Sequence, residues 1–80
     1  MNIPVITRFP VLLKTQTAAA RLVDAASQCG FEVCLESGRY RVNAKSMLGV
    51  LSLDLSKPCY VTSEEDLSTL RSAVADVVCG

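Results

Sequence analysis

The chain has 80 residues, half of them apolar, and its eight acidic side chains balance eight basic ones. This length predicts a single domain over residues 1–80, with enough apolar residues for a core. Zero net charge lacks the basic excess that is typical of nucleic-acid binding, so we expect no nucleic-acid partner. No apolar run approaches the ~20 residues of a membrane span, and no signal peptide is visible. We therefore expect a cytoplasmic protein without membrane contact.

The sequence contains no histidine. It therefore lacks the usual general base near neutral pH, the commonest nitrogen ligand for metals, and any phosphohistidine chemistry. The motifs bring together no other set of acid, base and nucleophile. We expect no enzymatic activity and assign no catalytic residue.

Four cysteines occur without a Cys-x-x-Cys pair: Cys29, Cys34, Cys59 and Cys79. This spacing gives little support to a zinc site, and no metal or other cofactor is expected. Disulfides are not expected in the absence of a secretory signal. Cys34 lies between two apolar residues and Cys79 follows an apolar helix end, which favours buried, reduced thiols. A redox or metal-binding protein would need these cysteines to act together.

The first third of the chain predicts a strand, a loop and a helix. Residues 2–7 have a β-rich composition with an early proline, which indicates an edge strand, and residues 8–16 form a loop. Apolar residues then recur with helical spacing over about residues 18–28. Thr15 and Thr17 are both suited to the N-cap of this helix, and a following glycine predicts its end.

The middle of the chain predicts a β-hairpin and a short helix. Residues 31–36 alternate apolar and polar side chains, and a Ser-Gly turn joins them to a returning strand over residues 39–44. Ser46 is then in position to cap a short helix. The apolar residues of that helix are Met47, Leu48, Val50 and Leu51.

The last third predicts a strand over residues 59–62 and a helix that begins at Ser63. Acidic residues in the first turn, with Asp66 near the capping-box position, favour this start. The buried stripe of the helix would consist of Leu67, Leu70, Val74 and Val77. The order β-α-β-β-α-β-α predicts an α+β open-faced β-sandwich. Two longer helices and one short helix would cover one face of a four-stranded, mainly antiparallel sheet.

The segment VCLESGRYRVNAKSMLGVLSLDL resembles the centre of HPr, the histidine-containing phosphocarrier protein of the bacterial sugar phosphotransferase system. The resemblance comprises a hairpin with a glycine turn, the run V-N-A-K-S and an apolar short helix. It extends over about residues 3–57 and covers the final helix in outline. It implies the HPr-like fold and protein partners within the phosphotransferase system.

In this family a histidine at the start of the first helix is phosphorylated by Enzyme I, and an arginine two residues later helps to bind the phosphate. A gapless count places Thr15 at the histidine position and Thr17 at the arginine position. One inserted residue would instead place Lys14 at the histidine position. A threonine ester is a poor phosphoryl donor and a protonated lysine is not nucleophilic, so we expect no phosphocarrier activity.

The resemblance also implies a second site. In Gram-positive members the serine of the K-S motif is phosphorylated by HPr kinase/phosphorylase, and the following helix docks on the transcription regulator catabolite control protein A. Ser46 holds this position in the present chain. Lys45 is adjacent and could pair with the phosphate, while Met47, Leu48 and Leu51 could form the docking patch. The prediction is a regulatory or interaction module in sugar transport and carbon catabolite repression.

Alternatives remain at this site. Ser46 could be an N-cap only, and the domain could be a degenerate relative that binds a partner through its short helix without phosphorylation. The apolar residues of that helix could equally belong to the core. Asp54 stands where the family usually has glycine, and the segment 59–63 is shorter than in the family. The docking surface and the last strand are therefore expected to differ in detail.

Overall fold

The computed structural model describes residues 5–80. Its strands are β1 (Arg8–Val11), β2 (Cys34–Ser37), β3 (Tyr40–Asn43) and β4 (Cys59–Thr62). Its helices are α1 (Gln16–Ser27), α2 (Met47–Leu51) and α3 (Ser68–Ala73), and a short 3-10 helix over Ala75–Val77 follows α3. The observed order confirms the predicted β-α-β-β-α-β-α succession.

The four strands form one antiparallel sheet in the order β1-β4-β2-β3. The last strand in the chain, β4, is inserted between β1 and β2, with Val11 opposite Cys59 on one side and Leu35 opposite Val61 on the other. These four residues are essentially inaccessible to solvent. Because side chains alternate along a strand, the sheet has one buried face and one open face.

The core lies between the buried face of the sheet and the helices. From the helical side it receives Leu22 of α1, Val50 of α2, and Leu70 of α3, with Leu67 and Val74 at the ends of α3. Full burial of such side chains is worth about 1.5–3 kcal/mol each, so these five residues contribute substantially to stability. The α+β open-faced β-sandwich is thereby confirmed.

The first strand was predicted over residues 2–7, but the described part of that segment, residues 5–7, forms no strand. Residues 1–4 lie outside the described part of the chain, and the strand occupies the segment predicted to be a loop. Phe9 and Val11 are 3% and 0% exposed, so their burial selects this register. Pro10 between them is tolerated because β1 is an edge strand, where a missing N–H breaks no ladder.

The last helix begins five residues later than predicted. The Ser63 hydroxyl donates to the carbonyl of Glu32 (2.8 Å), so it fixes a loop and does not cap a helix. The Oδ1 atom of Asp66 instead accepts hydrogen bonds from the N–H (3.0 Å) and the hydroxyl (2.6 Å) of Ser68, the first residue of α3. Leu67, Leu70 and Val74 are buried as predicted, whereas Val77 is half-buried.

Candidate functional site

The start of helix α1 is capped by Thr15. Its backbone is extended (φ −125°, ψ 159°), and its Oγ1 accepts a hydrogen bond from the N–H of Ala18 at 3.1 Å. Thr17 lies inside the first turn with an exposed side chain, so its prediction as an alternative N-cap is wrong. A threonine cap of this kind is typically worth about 1 kcal/mol.

The residue before the cap, Lys14, has a left-handed backbone with φ 66°. The N–H of Thr15 reaches back across it to the carbonyl of Leu13 (2.8 Å), which is the hydrogen bond of a γ-turn. The N–H of Lys14 itself donates to the carbonyl of Leu55 (2.9 Å), in the segment after α2. An L-residue rarely adopts this conformation, so tertiary contacts hold the turn.

This helix start is a capped N-terminus, and the sequence places no histidine at it. Its first turn contains no acidic side chain. The Thr15 hydroxyl is engaged as the cap, and the Lys14 side chain is exposed. What remains for an anion is the set of free N–H groups that every α-helix presents at its N-terminus.

The start of α2 is capped by Ser46, as the sequence predicted. Its backbone is extended (φ −106°, ψ 114°), and its Oγ accepts from the N–H of Gly49 at 3.2 Å. The side chain is half-buried, and the first turn of α2 contains no acidic residue. No carboxylate on this turn would repel a negative charge added to the Ser46 oxygen.

Gly49 is a residue of this site that the sequence reasoning missed. A Cβ atom at this position would lie 3.3 Å from Val42 Cβ and 3.5 Å from Ser46 Oγ. Glycine in a helix interior costs about 1 kcal/mol relative to alanine, so an isolated glycine in a short helix pattern was the available signal. Here it lets α2 approach β3 and leaves space around the capping hydroxyl.

Lys45 points away from the Ser46 hydroxyl. Its ammonium donates to the carbonyl of Cys29 (2.7 Å) just beyond the end of α1, and its N–H donates to Asn43 Oδ1 (2.9 Å). A cation near the C-terminal end of a helix interacts favourably with the helix dipole. Pairing of Lys45 with a phosphate on Ser46 would therefore require an exchange of this hydrogen bond.

The apolar residues of α2 divide between core and surface. Val50 is fully buried and Met47 packs partly against the core. Leu48 is 86% exposed and Leu51 is 36% exposed. Leu48 is thus an apolar side chain exposed to solvent two residues after Ser46, the N-cap of α2.

Asp54 closes the turn after α2. Its Oδ1 accepts hydrogen bonds from the hydroxyl (2.6 Å) and the N–H (3.1 Å) of Ser56, which hold the pKa of the Asp54 carboxyl below its usual range. The ammonium of Lys57 is 3.9 Å from the other oxygen. An aspartate turn thus occupies the position where the family resemblance implied glycine.

The cysteines are free, and they do not converge on one site. Cys59 is buried, and burial raises the pKa of its thiol. The predicted burial of Cys34 and Cys79 is wrong, because both are half-buried. Cys34 alternates with the buried Val33 and Leu35, which places its side chain towards the open face of the sheet. Residues 5–80 contain no group of three or more acidic or cysteine side chains arranged to hold a metal ion.

The fold and the two capped helix starts define a small α+β domain of the phosphocarrier type. A sequence model of the family described as "PTS HPr component phosphorylation site" matches residues 15–77. The chain therefore belongs to the HPr family, which confirms the resemblance inferred from its central segment. The match begins at Thr15, the N-cap of α1.

Solved structures similar to this chain include two HPr-like proteins. HPr-C-His from Thermoanaerobacter tengcongensis superposes with a TM-score of 0.71 at 25% identity, covering 89% of each chain. Crh, described as a catabolite repression protein of Bacillus subtilis that forms an intertwined, domain-swapped dimer, superposes with a TM-score of 0.61 at 26% identity. That alignment covers 100% of this chain and 97% of Crh. No curated protein sequence matches the chain closely enough to count as a relative. Across residues 5–80, no helix has the length and apolar character needed to cross a membrane.

Proposed function

We propose that this protein is a regulatory HPr-like module that cannot carry phosphohistidine and whose interactions are controlled by phosphorylation of Ser46. The proposal rests on one local arrangement: Ser46 caps α2, and the exposed Leu48 lies two residues further on. The similarity to Crh, a catabolite repression protein, also supports a regulatory role. The partners would be a kinase of the HPr kinase/phosphorylase type and a transcription regulator or another phosphotransferase-system protein, in the cytoplasm.

Phosphorylation would transfer the γ-phosphoryl group of ATP to the Ser46 hydroxyl. The Oγ–P bond forms, the bond to ADP breaks, and a base of the kinase accepts the hydroxyl proton. The product carries about −1.5 to −2 charges at pH 7, directly at the positive end of α2. The ammonium of Lys45 could bind the phosphate if it gave up its hydrogen bond to the carbonyl of Cys29. The modification would thus also loosen the contact between α1 and the start of α2.

The modified site would combine a new anion with an apolar neighbour. Leu48 and Leu51 supply exposed apolar surface, and Met47 contributes the part of its side chain that the core leaves accessible. A suitable partner has an apolar pocket for Leu48 with arginine side chains beside it, because arginine recognises phosphate by bidentate hydrogen bonds.

The direct test is incubation with a purified HPr kinase/phosphorylase and ATP, followed by intact-protein mass spectrometry. We expect one added phosphate on the wild type and none on Ser46→Ala. Ser52→Ala is the matched control, because the Ser52 hydroxyl lies at the other end of α2, where it donates to the carbonyl of Gly49 (2.6 Å). It should accept phosphate like the wild type. An unmodified wild type would contradict the proposal, provided that a histidine-containing HPr is modified in the same reaction.

The second candidate function is partner binding through α2 without phosphorylation. The observation that favours it is the exposure of Leu48 in the unmodified protein. Affinity for purified catabolite control protein A should be measured with unmodified, phosphorylated and Leu48→Ser protein. Binding that needs both the phosphate and Leu48 supports regulation through Ser46. Binding that needs Leu48 alone favours the second function.

A further inference from the structure

A cleft of about 1050 Å³ opens beside β3, at the end of the sheet where the β2–β3 hairpin turns. One wall consists of six consecutive hairpin residues, 37–42. The other wall comes from the segment between α2 and β4, with residues 52–54, 57 and 58. The lining includes neither Ser46 nor any residue at the start of α1.

The cleft concentrates positive charge on a chain whose net charge is zero. Arg39 and Lys57 line it against the carboxylate of Asp54, and Arg41 borders it with its guanidinium on the open face beside Glu36. The Asp54 carboxylate is already hydrogen-bonded to Ser56. With Glu36 counted beside Arg41, three cations face two carboxylates, and the remaining positive charge favours anionic ligands at this edge.

The edge strand also presents hydrogen-bonding groups of its backbone. Ser37 and Tyr40 close a two-residue turn, so they form a hydrogen-bonded pair, and the next pair, Glu36 and Arg41, is a non-hydrogen-bonded one. The N–H and C=O of Arg41 therefore point away from β2, towards the free edge. An added strand would find one donor and one acceptor there.

The two sides of this edge differ in chemistry. Val42 packs towards the core, so Tyr40, two residues earlier, faces the same side, with Leu53 and Pro58 across the cleft. Arg41 faces the open side of the sheet, where its Nε is 3.8 Å from Glu36. Side chains of an added strand would alternate between an apolar and a cationic environment.

We propose that this cleft binds an extended segment of a partner protein, in which acidic and apolar residues alternate, as an additional strand on β3. The cations favour such a segment over a small phosphorylated compound. The Arg41 guanidinium lies on the open face beside Glu36, whereas Lys57 lies beside Asp54 on the opposite wall, so the two cations are on different sides of the β3 edge. The spaced carboxylates of an extended peptide match that distribution of cations, whereas a single phosphate would need the cations to converge on one point. This surface is separate from Ser46 and does not depend on its phosphorylation.

The test is an NMR titration of the labelled protein with a capped ten-residue peptide in which glutamate and valine alternate. We expect saturable amide shifts at Arg41, Val42 and Leu53, and an affinity that falls several-fold between about 50 and 200 mM salt. The same peptide with N-methyl groups on the residues that face β3 should bind at least about tenfold more weakly, because it cannot extend the sheet. A peptide with lysine in place of glutamate should not bind.

The same titration is then repeated with variants of the protein. Arg39→Gln combined with Lys57→Gln should lower the affinity about three- to tenfold. Arg71→Gln is the matched control, since Arg71 is exposed on α3 outside the cleft, and it should bind normally. Absence of shifts up to millimolar peptide, or equal binding of the N-methylated peptide, would overturn the proposal. Saturable shifts with inorganic phosphate alone would overturn it in favour of a small-anion site.

Discussion

The ammonium group of Lys45 donates a 2.7 Å hydrogen bond to the carbonyl oxygen of Cys29, which joins the start of α2 to the end of α1. Hydrogen bonds with one charged partner contribute about 1.5–3 kcal/mol, and Lys45 is half-buried. We therefore expect Lys45→Met to lower the free energy of unfolding in urea by about 1–2 kcal/mol. Lys57→Met, at an exposed position, should change it by less than about 0.5 kcal/mol. Equal effects of the two substitutions would show that the Lys45 contact contributes nothing specific.

Gly49 and Gly30 should respond differently to alanine. A Cβ at Gly49 meets Val42 at 3.3 Å, whereas a Cβ at Gly30 meets no atom within 4 Å. The usual gain of about 1 kcal/mol for glycine to alanine in a helix should therefore be cancelled at Gly49. Gly30→Ala should stabilise by about 0.4–1 kcal/mol through the unfolded chain. Urea unfolding of both variants measures this, and a full gain at Gly49→Ala would show that α2 can move away from β3.

Lys14 has a left-handed backbone that glycine adopts more readily than any other residue. Lys14→Gly should therefore be more stable than Lys14→Ala by about 1 kcal/mol, which is the opposite of the usual order for these two residues. Comparison of the two variants removes the contribution of the lysine side chain. A more stable Lys14→Ala would mean that the γ-turn is not populated in solution.

Stability should fall in acid partly because of Asp76. Two 2.6 Å hydrogen bonds from the guanidinium of Arg21 hold the pKa of Asp76 below its usual range. The contribution of ionised Asp76 to the free energy of unfolding is therefore fully present above its unfolded-state pKa of about 3.9. It is lost as the pH falls through the lower folded-state pKa. Melting temperatures between pH 7 and pH 3 should decline less steeply for Asp76→Asn than for the wild type. Arg21→Gln should flatten the decline in the same way as Asp76→Asn, because it removes both of these hydrogen bonds.

Phosphocarrier activity should be absent. With phosphoenolpyruvate and Enzyme I, the chain should gain no acid-labile phosphate, because no histidine is present and the Thr15 hydroxyl is used as a helix cap. A histidine-containing HPr serves as the positive control for the assay. Acid-labile phosphate on this chain would require a nucleophile that neither the sequence nor residues 5–80 of the structure reveal.

Local patterns predicted several features correctly because their causes are local. The hairpin itself was predicted correctly, and Gly38, at φ 60°, supplies the conformation that its turn needs. The turn consists of Gly38 and Arg39, one residue later than the predicted Ser37-Gly38, because Ser37 still pairs with Tyr40. Ser46 was predicted as a cap, and Thr15 as one of two candidate caps, because a cap is a contact between residues three apart. The order of the elements follows from the same short-range signals.

Features set by distant partners could not be predicted in this way. Ser63 looked like a helix cap, but its hydroxyl bonds to Glu32, 31 residues away. The first strand was misplaced because only pairing with β4 selects the register in which Phe9 and Val11 are buried. In the same way, the predicted pairing of Lys45 with a phosphate took no account of the competing carbonyl at Cys29.

The sequence by itself determined the element order, the serine cap of α2 and the lack of histidine, because these depend on residue identity and on neighbours within one turn or hairpin. Only the tertiary structure decided which side chains of α2 face solvent and that the hairpin and the 52–58 segment form the two walls of one cleft. Those outcomes depend on which elements pack against each other. Leu48 is exposed while Val50 is buried, because α2 turns one side towards the sheet and the other to water.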